Sequence, residues 1–182
     1  MISLPETLRT IENFASSPRE QKSHELILGL LTHTPTPLSR HQFQPGHITC
    51  SAVVFAPGRE RVLLMFHHRH RRWLLPGGHV EETDATLADT AVRETTEETT
   101  VQIARVIGLV SMDVHAIPAR KHKHEPFHLH HDLIFALEAE TDQIAPTQEA
   151  PKVTWATPSD LASFGLQASV AHALMRAAFT LV

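Results

Sequence analysis

Apolar residues recur at three- and four-residue spacings through "PETLRTIENFA" (5–15) and "PREQKSHELILGLLTHT" (18–34), the period of an amphipathic helix. Two short helices are therefore expected before residue 45. The next stretch, "PTPLSRHQFQPGH" (35–47), carries three prolines that exclude a long regular element and is expected to wrap back onto the main body. From His47 the pattern changes to β-branched and apolar runs: "ITCSAVVFA" (48–56), "RVLLMF" (61–66) and "RWLLP" (72–76) read as strands. The "PGRE" tetrad between the first two has hairpin-turn composition. Three more strands are expected in "VQIARVIGLVSMDVHAI" (101–117), "DLIFALEAE" (132–140) and "KVTWAT" (152–157), and two closing helices in "PSDLASF" and "ASVAHALMRAAFTLV". Strands interleaved with helices predict an α/β layered fold. The expected division is an N-terminal helical arm over 1–45, packed on a main domain over 46–182.

Between the third and fourth strands lies "LPGGHVEETDATLADTAVRETTEETT" (75–100), a paired-glycine turn running into a helical pattern. Thr86 followed three residues later by Asp89 has the form of a capping box, so the helix begins at Leu87 and Asp84 stays in the loop. At about 100° per residue, Leu87, Ala88, Ala91, Val92, Thr95 and Thr99 form the packing face. Glu94, Glu97 and Glu98 fall in an adjoining arc, at the border of core and solvent. Like charges at this spacing repel by a few tenths of a kcal/mol per pair, and they sit toward the end of the helix dipole that disfavours anions. Either Arg93 or another basic neighbour neutralises them, or they hold a divalent cation. Mg²⁺ takes hard oxygen ligands and commonly shares one or two carboxylates with substrate phosphates. The glycines add a place where backbone can approach a ligand closely.

Glycine turn, helix and spaced glutamates together resemble the signature of the Nudix hydrolases: Gly, five residues, Glu, seven residues, then Arg-Glu-aliphatic-any-Glu-Glu-any-Gly-aliphatic. Gly78 matches its glycine, and Arg93, Glu94, Glu97, Glu98 and Val101 match its second half. Gly78 to Arg93 is one residue longer than the signature. Counting forward puts Asp84 at the first glutamate, and counting back puts Ala85 there. Thr95 stands at an aliphatic position. Thr100 replaces the terminal glycine, so the helix is expected to end differently. The resemblance implies an α/β/α sandwich around a mixed sheet, with Mg²⁺ or Mn²⁺ held against a diphosphate. It implies a metal-dependent hydrolase acting on a nucleoside diphosphate derivative or similar small-molecule phosphoanhydride. Gly78, Glu94, Glu97 and Glu98 are then the metal residues, Glu94 being a third carboxylate ligand or the base, and Arg93 orients the glutamates. Two alternatives use the same scaffold: an isoprenoid diphosphate isomerase, which would employ a cysteine such as Cys50, and a non-catalytic nucleotide-binding module.

A net charge of −4 argues against general nucleic-acid binding. Cationic or cationisable residues nevertheless cluster in "HHRHRR" (67–72) and "ARKHKHEPFHLHHD" (119–132). Arg69, Arg71 or Arg72 can reach substrate phosphates or form a solvated hairpin tip. His128 and His130 alternate onto one strand face, followed by His131 and Asp132. They read as solvent-facing histidines, as the lining of a substrate cleft, or as part of a zinc site. Glu149 is a further candidate base, and Trp73 a core residue. The single cysteine, Cys50, excludes an intrachain disulfide and reads as a buried thiol. With no run of about 18 apolar residues and early charge at the N-terminus, a cytoplasmic protein without a membrane span is expected. The arm can fold on its own subunit or swap onto a second copy in a homodimer.

Overall fold

The computed structural model describes residues 2–120 and 124–180. Lys121, His122 and Lys123 of the second basic stretch lie outside the described residues. Helices α1 (Leu4–Glu12) and α2 (Gln21–His33) precede strand β1 (Gly46–Phe55), β2 (Val62–His67), β3 (Arg72–Leu74) and β4 (Gly77–His79). Helix α3 (Leu87–Thr99), β5 (Ile103–Ile117), β6 (His128–Ala139), β7 (Lys152–Ala156), a 3₁₀ turn (Leu161–Phe164) and α4 (Ala168–Thr180) complete the chain. "PSDLASF" thus forms a single 3₁₀ turn where a helix was expected, closed by Gly165 in the left-handed region (φ 58°).

The sheet is mixed, in the order β3-β2-β1-β6-β5. Among the described strands only β1 and β6 run parallel, in register from Gly46↔Leu129 to Phe55↔Glu138. Strands β1 and β2 share one paired position, Phe55↔Val62, and then diverge. Beyond it β4 takes the vacated edge of β1, pairing Thr49↔His79, Cys50↔Gly78 and Ser51↔Gly77. The "PGGH" segment is therefore a short strand rather than a turn. Glycine suits it, because side chains at Gly77 and Gly78 would collide with Ser51 and Glu94 respectively.

Alternation along β1 divides the core. Ile48, Cys50, Ala52 and Val54 face α1, α2 and α3 together with Leu133 and Phe135 of β6. Val53 and Phe55 face α4 with Ile134 and Ala136. The result is the expected α/β/α layering. Within the segment 35–47, Pro37 O accepts from the Ile48 amide at 2.8 Å, which ties the approach to β1 onto the strand itself. The start of α2 is fastened to both β5 and α4 by Glu20, which is buried and meets Ser17, Ser111, His172 and Arg176.

Candidate functional site

Helix α3 begins at the predicted cap: Thr86 Oγ1 accepts from the Asp89 amide at 3.1 Å, and the Asp89 carboxylate accepts from the Thr86 amide at 2.9 Å. Its far end departs from expectation. Thr100 adopts the left-handed conformation (φ 63°) that the signature's glycine would supply. Its amide closes the last turn on Thr96 O, and its hydroxyl accepts from the Ala145 amide at 3.1 Å. These bonds hold a β-branched residue where its own preference opposes it.

The three glutamates differ in environment. Glu98 is buried, Glu94 half-buried, and Glu97 exposed on 58 % of its side chain. Glu98 Oε2 accepts from the Gly77 amide at 2.9 Å, so β4 and α3 meet through it. Burial pushes its carboxyl up to about 8; the Gly77 bond opposes this, and the charges of Glu94, Glu149 and Glu97 add to it. Glu94 is also pushed up by burial, with Arg93 opposing. Its carboxylate lies directly over Gly78, in the space a side chain there would occupy. Glu149 is thus brought within electrostatic reach of Glu98.

Arg93 is the hub. Its Nε and Nη2 donate to the two oxygens of buried Asp84 at 3.0 Å each, while Nη1 donates to Glu94 at 3.0 Å and Glu97 at 3.3 Å. Nη2 also donates to His79 O at 2.8 Å, and Glu81 lies 3.9 Å from Nη1. Burial would raise the Asp84 carboxyl, but Arg93, the Glu81 loop and the Thr90 hydroxyl, at 2.8 Å, hold it below its ordinary value. One guanidinium thus serves Asp84, Glu94, Glu97 and Glu81, and Glu98 adds a fifth carboxyl. The site is short of positive charge, and its donors are hard oxygens, which fit Mg²⁺ or Mn²⁺.

On the opposite face of the sheet from α3, the β1–β6 register sets His47 beside His130 and Thr49 beside Asp132, with His79 opposite Thr49 on β4. Asp132 is buried, pushed up by that burial, and accepts from Thr49 Oγ1 at 2.8 Å. Ring centroids of His47 lie 5.1 Å from His79, 5.0 Å from His128 and 4.9 Å from His130. Burial lowers His79 to about 3, with Arg40 adding to the effect, and lowers His130 to about 2, so both rings are neutral. His128 and His130 share one face as predicted, whereas His131 points into the core. Sequence reasoning missed His47 and His79. The signal available was that His79 follows Gly78 directly, but pairing with His47 depends on strand register.

Arg69, Arg71 and Arg72 are exposed at the tip and edge of the β2–β3 hairpin. Trp73 is partly buried and packs against the core beside Phe66 and Phe164. Cys50 is fully buried beneath α3, and burial together with Asp132, Asp84 and Glu94 raises its thiol well above the ordinary value. A neutral, enclosed thiol is poorly placed for proton relay to a diphosphate substrate. A separate apolar groove, lined by Phe55, Val62, Leu166 and Leu174, lies at the other end of β1 and contains none of the signature residues.

Comparison with known proteins decides the family. The family model for the NUDIX domain matches residues 45–177. The chain belongs to the NUDIX domain family. A probable DHNTP pyrophosphohydrolase of Lactococcus lactis subsp. cremoris (strain MG1363) is 36% identical over 104 residues, 57% of this chain and 60% of that relative. The chain thus spans about three fifths of the relative's length. Among solved structures, the NUDIX domain of Shewanella oneidensis NrtR complexed with ADP ribose superposes with a TM-score of 0.59 at 19% identity, covering 84% of this chain and 96% of that one. The E. coli dihydroneopterin triphosphate pyrophosphohydrolase gives 0.53 at 22% identity, covering 70% and 91%. At these identities the likeness is one of NUDIX fold. Among the described residues, no helix is long and apolar enough to cross a membrane.

Proposed function

We propose that this chain is a metal-dependent hydrolase that cleaves a diphosphate bond in a nucleoside diphosphate derivative or a similar small molecule. The observation that carries the reading is the charge deficit on α3: one guanidinium serves several carboxylates, and buried Glu98 is held up to about 8 until a cation compensates it. Glu94, Glu97, Glu98 and the Gly78 carbonyl would hold Mg²⁺ or Mn²⁺, which when bound offsets charge on the phosphate oxygens and lowers the pKa of the attacking water.

The chain's own residues supply the rest. Arg93 fixes Glu94 and Glu97 through charge-assisted bonds and is itself anchored by Asp84, which stands in for the first glutamate of the signature. Glu94, half-buried with a raised carboxyl, either ligates or takes the proton of the attacking water. Gly78 lacks a side chain so that Glu94 can occupy this position. Arg69 and Arg72 at the hairpin tip are candidates to meet substrate phosphates. His128, His130 and Asp132 stand on the other face of the sheet, and are candidates to contact the remainder of the substrate.

The test is release of phosphate, pyrophosphate or nucleotide from a panel of nucleoside diphosphate derivatives with Mg²⁺ or Mn²⁺. The panel includes dihydroneopterin triphosphate, because the Lactococcus relative and the E. coli structure are named for it, and an isoprenoid diphosphate. Turnover of one class that EDTA abolishes is expected. Binding of metal and nucleotide without turnover would instead make the chain a binding module. Double-bond isomerisation of the isoprenoid without phosphate release would make it an isomerase.

A further inference from the structure

We propose that His47, His79 and His130 form a second metal site, for a borderline divalent transition metal such as Zn²⁺, on the face of the sheet opposite the α3 carboxylates. Each histidine offers one ring nitrogen, and the three nitrogens lie within 4.8 Å of one another. Three strands deliver them: His47 is the second residue of β1, His130 sits beside it in the parallel register of β6, and His79 ends β4.

His47 supplies the independent observation. It is 1% exposed, and its Nδ1 lies 3.0 Å from Gln42 O. A carbonyl only accepts, so Nδ1 carries the proton and Nε2 bears the lone pair. That Nε2 is buried and has no hydrogen-bond partner. Leaving a buried polar atom unsatisfied is costly, and an ion or a water in contact with it is one way the cost is met. A histidine whose second nitrogen donates to a backbone carbonyl is also the arrangement that orients metal-binding imidazoles. Phe43 packs edge-on to His47, with centroids 6.3 Å apart, and holds the ring further.

The donor set selects the ion. Three imidazoles without a carboxylate or thiolate suit Zn²⁺, Co²⁺, Ni²⁺ or Cu²⁺, whereas Mg²⁺ prefers oxygen. In a tetrahedral site with Zn–N near 2.0–2.1 Å, the ligand nitrogens stand about 3.3 Å apart. His79 and His130 are half-buried and can close the difference by side-chain rotation, while His47 stays fixed. Three protein ligands leave a fourth position for water or for an anionic oxygen of a ligand. The two centres are joined through β4, since Gly78 carries Glu94 on one face and His79 projects to the other.

The experiment is Co²⁺ titration of tag-free, EDTA-treated full-length protein, followed by the visible absorption of four-coordinate Co²⁺ and by Zn²⁺ competition. Four proteins are compared with wild type: His79→Gln, His130→Gln, His128→Gln and the Glu97→Gln/Glu98→Gln double variant, each checked for folding by circular dichroism. One equivalent with the four-coordinate spectrum is expected in wild type, in His128→Gln and in the glutamate variant. His79→Gln and His130→Gln each weaken it by at least about tenfold, the scale of a disturbed ligand shell. His79 and His130 are half-buried, so at least one folded histidine variant is expected. Persistence of the spectrum in a folded His79→Gln or His130→Gln protein would overturn the site, as would its loss in the glutamate variant or in His128→Gln, or its failure to form in wild type.

Discussion

Replacing Glu98 with Gln should stabilise the metal-free protein, by an amount that grows with pH. Glu98 is 5% exposed, and its carboxyl is pushed up to about 8 from an ordinary 4.5. Between those values the folded protein keeps a proton that the unfolded chain has released, so stability falls as pH rises, by about 1.4 kcal/mol per pH unit. Relative to the variant, wild type therefore loses nothing near pH 4, roughly 3 kcal/mol at pH 7 and approaching 5 kcal/mol above pH 8. The introduced amide is isosteric with the carboxyl of Glu98 and still offers an oxygen to the Gly77 amide, so the difference isolates the charge. The assay is urea unfolding of both proteins in EDTA at several pH values from 5 to 9. Saturating Mg²⁺ or Mn²⁺ should reverse the order at pH 8, because the folded wild type alone gains from binding through that carboxylate. A stability difference that stays constant with pH, or a metal-free variant less stable than wild type at pH 8, would refute the reasoning.

Other residues carry equally direct expectations. Gly78→Ala should displace the Glu94 carboxylate, which can swing aside, so turnover should fall by about 100-fold while the melting temperature barely moves; an unchanged kcat would contradict the close packing. Arg93→Ala leaves Asp84 buried without its bidentate partner and should cost about 3 kcal/mol in chemical unfolding; a cost near zero would show that the pair is not structural. Glu20→Ala removes the carboxylate that meets Ser17, Ser111 and Arg176, and should cost about 2 kcal/mol at pH 7. Burial pushes Glu20 up, yet these partners hold it below its ordinary value. The charge-dependent part of its contribution is therefore present above pH 4.5 and is lost as pH falls through the lowered folded value, so the gap between wild type and variant should narrow in acid.

Local patterns made α3 legible, because Thr86, Asp89 and the 3.6-residue spacing are all contained in one short stretch. The strands were legible as apolar runs, but the "PGGH" strand was not, since two glycines carry no β propensity and are ordered only by the edge of β1. Burial of the glutamates was readable as an arc but not as a ranking. Glu98 becomes the most enclosed because β4 folds over it, a contact 21 residues away in sequence. The left-handed Thr100 ran against its propensity, and the tertiary bond from Ala145 helps explain why it is tolerated. The second basic stretch showed its histidines without revealing their partners. His47 and His79 join His130 only through the parallel pairing of β1 with β6 and the antiparallel pairing with β4.

If the α3 carboxylates hold a divalent cation against a phosphoanhydride, steady-state phosphate or nucleotide release on the best substrate should depend on them. The measurement is kcat for wild type, Glu97→Gln and Glu98→Gln across a Mg²⁺ or Mn²⁺ titration, with EDTA as the zero. Wild type should saturate with metal, and both variants should lose at least about 100-fold in kcat, equivalent to about 2.7 kcal/mol of transition-state stabilisation. Wild-type turnover that survives EDTA, or full turnover in Glu98→Gln, would contradict it.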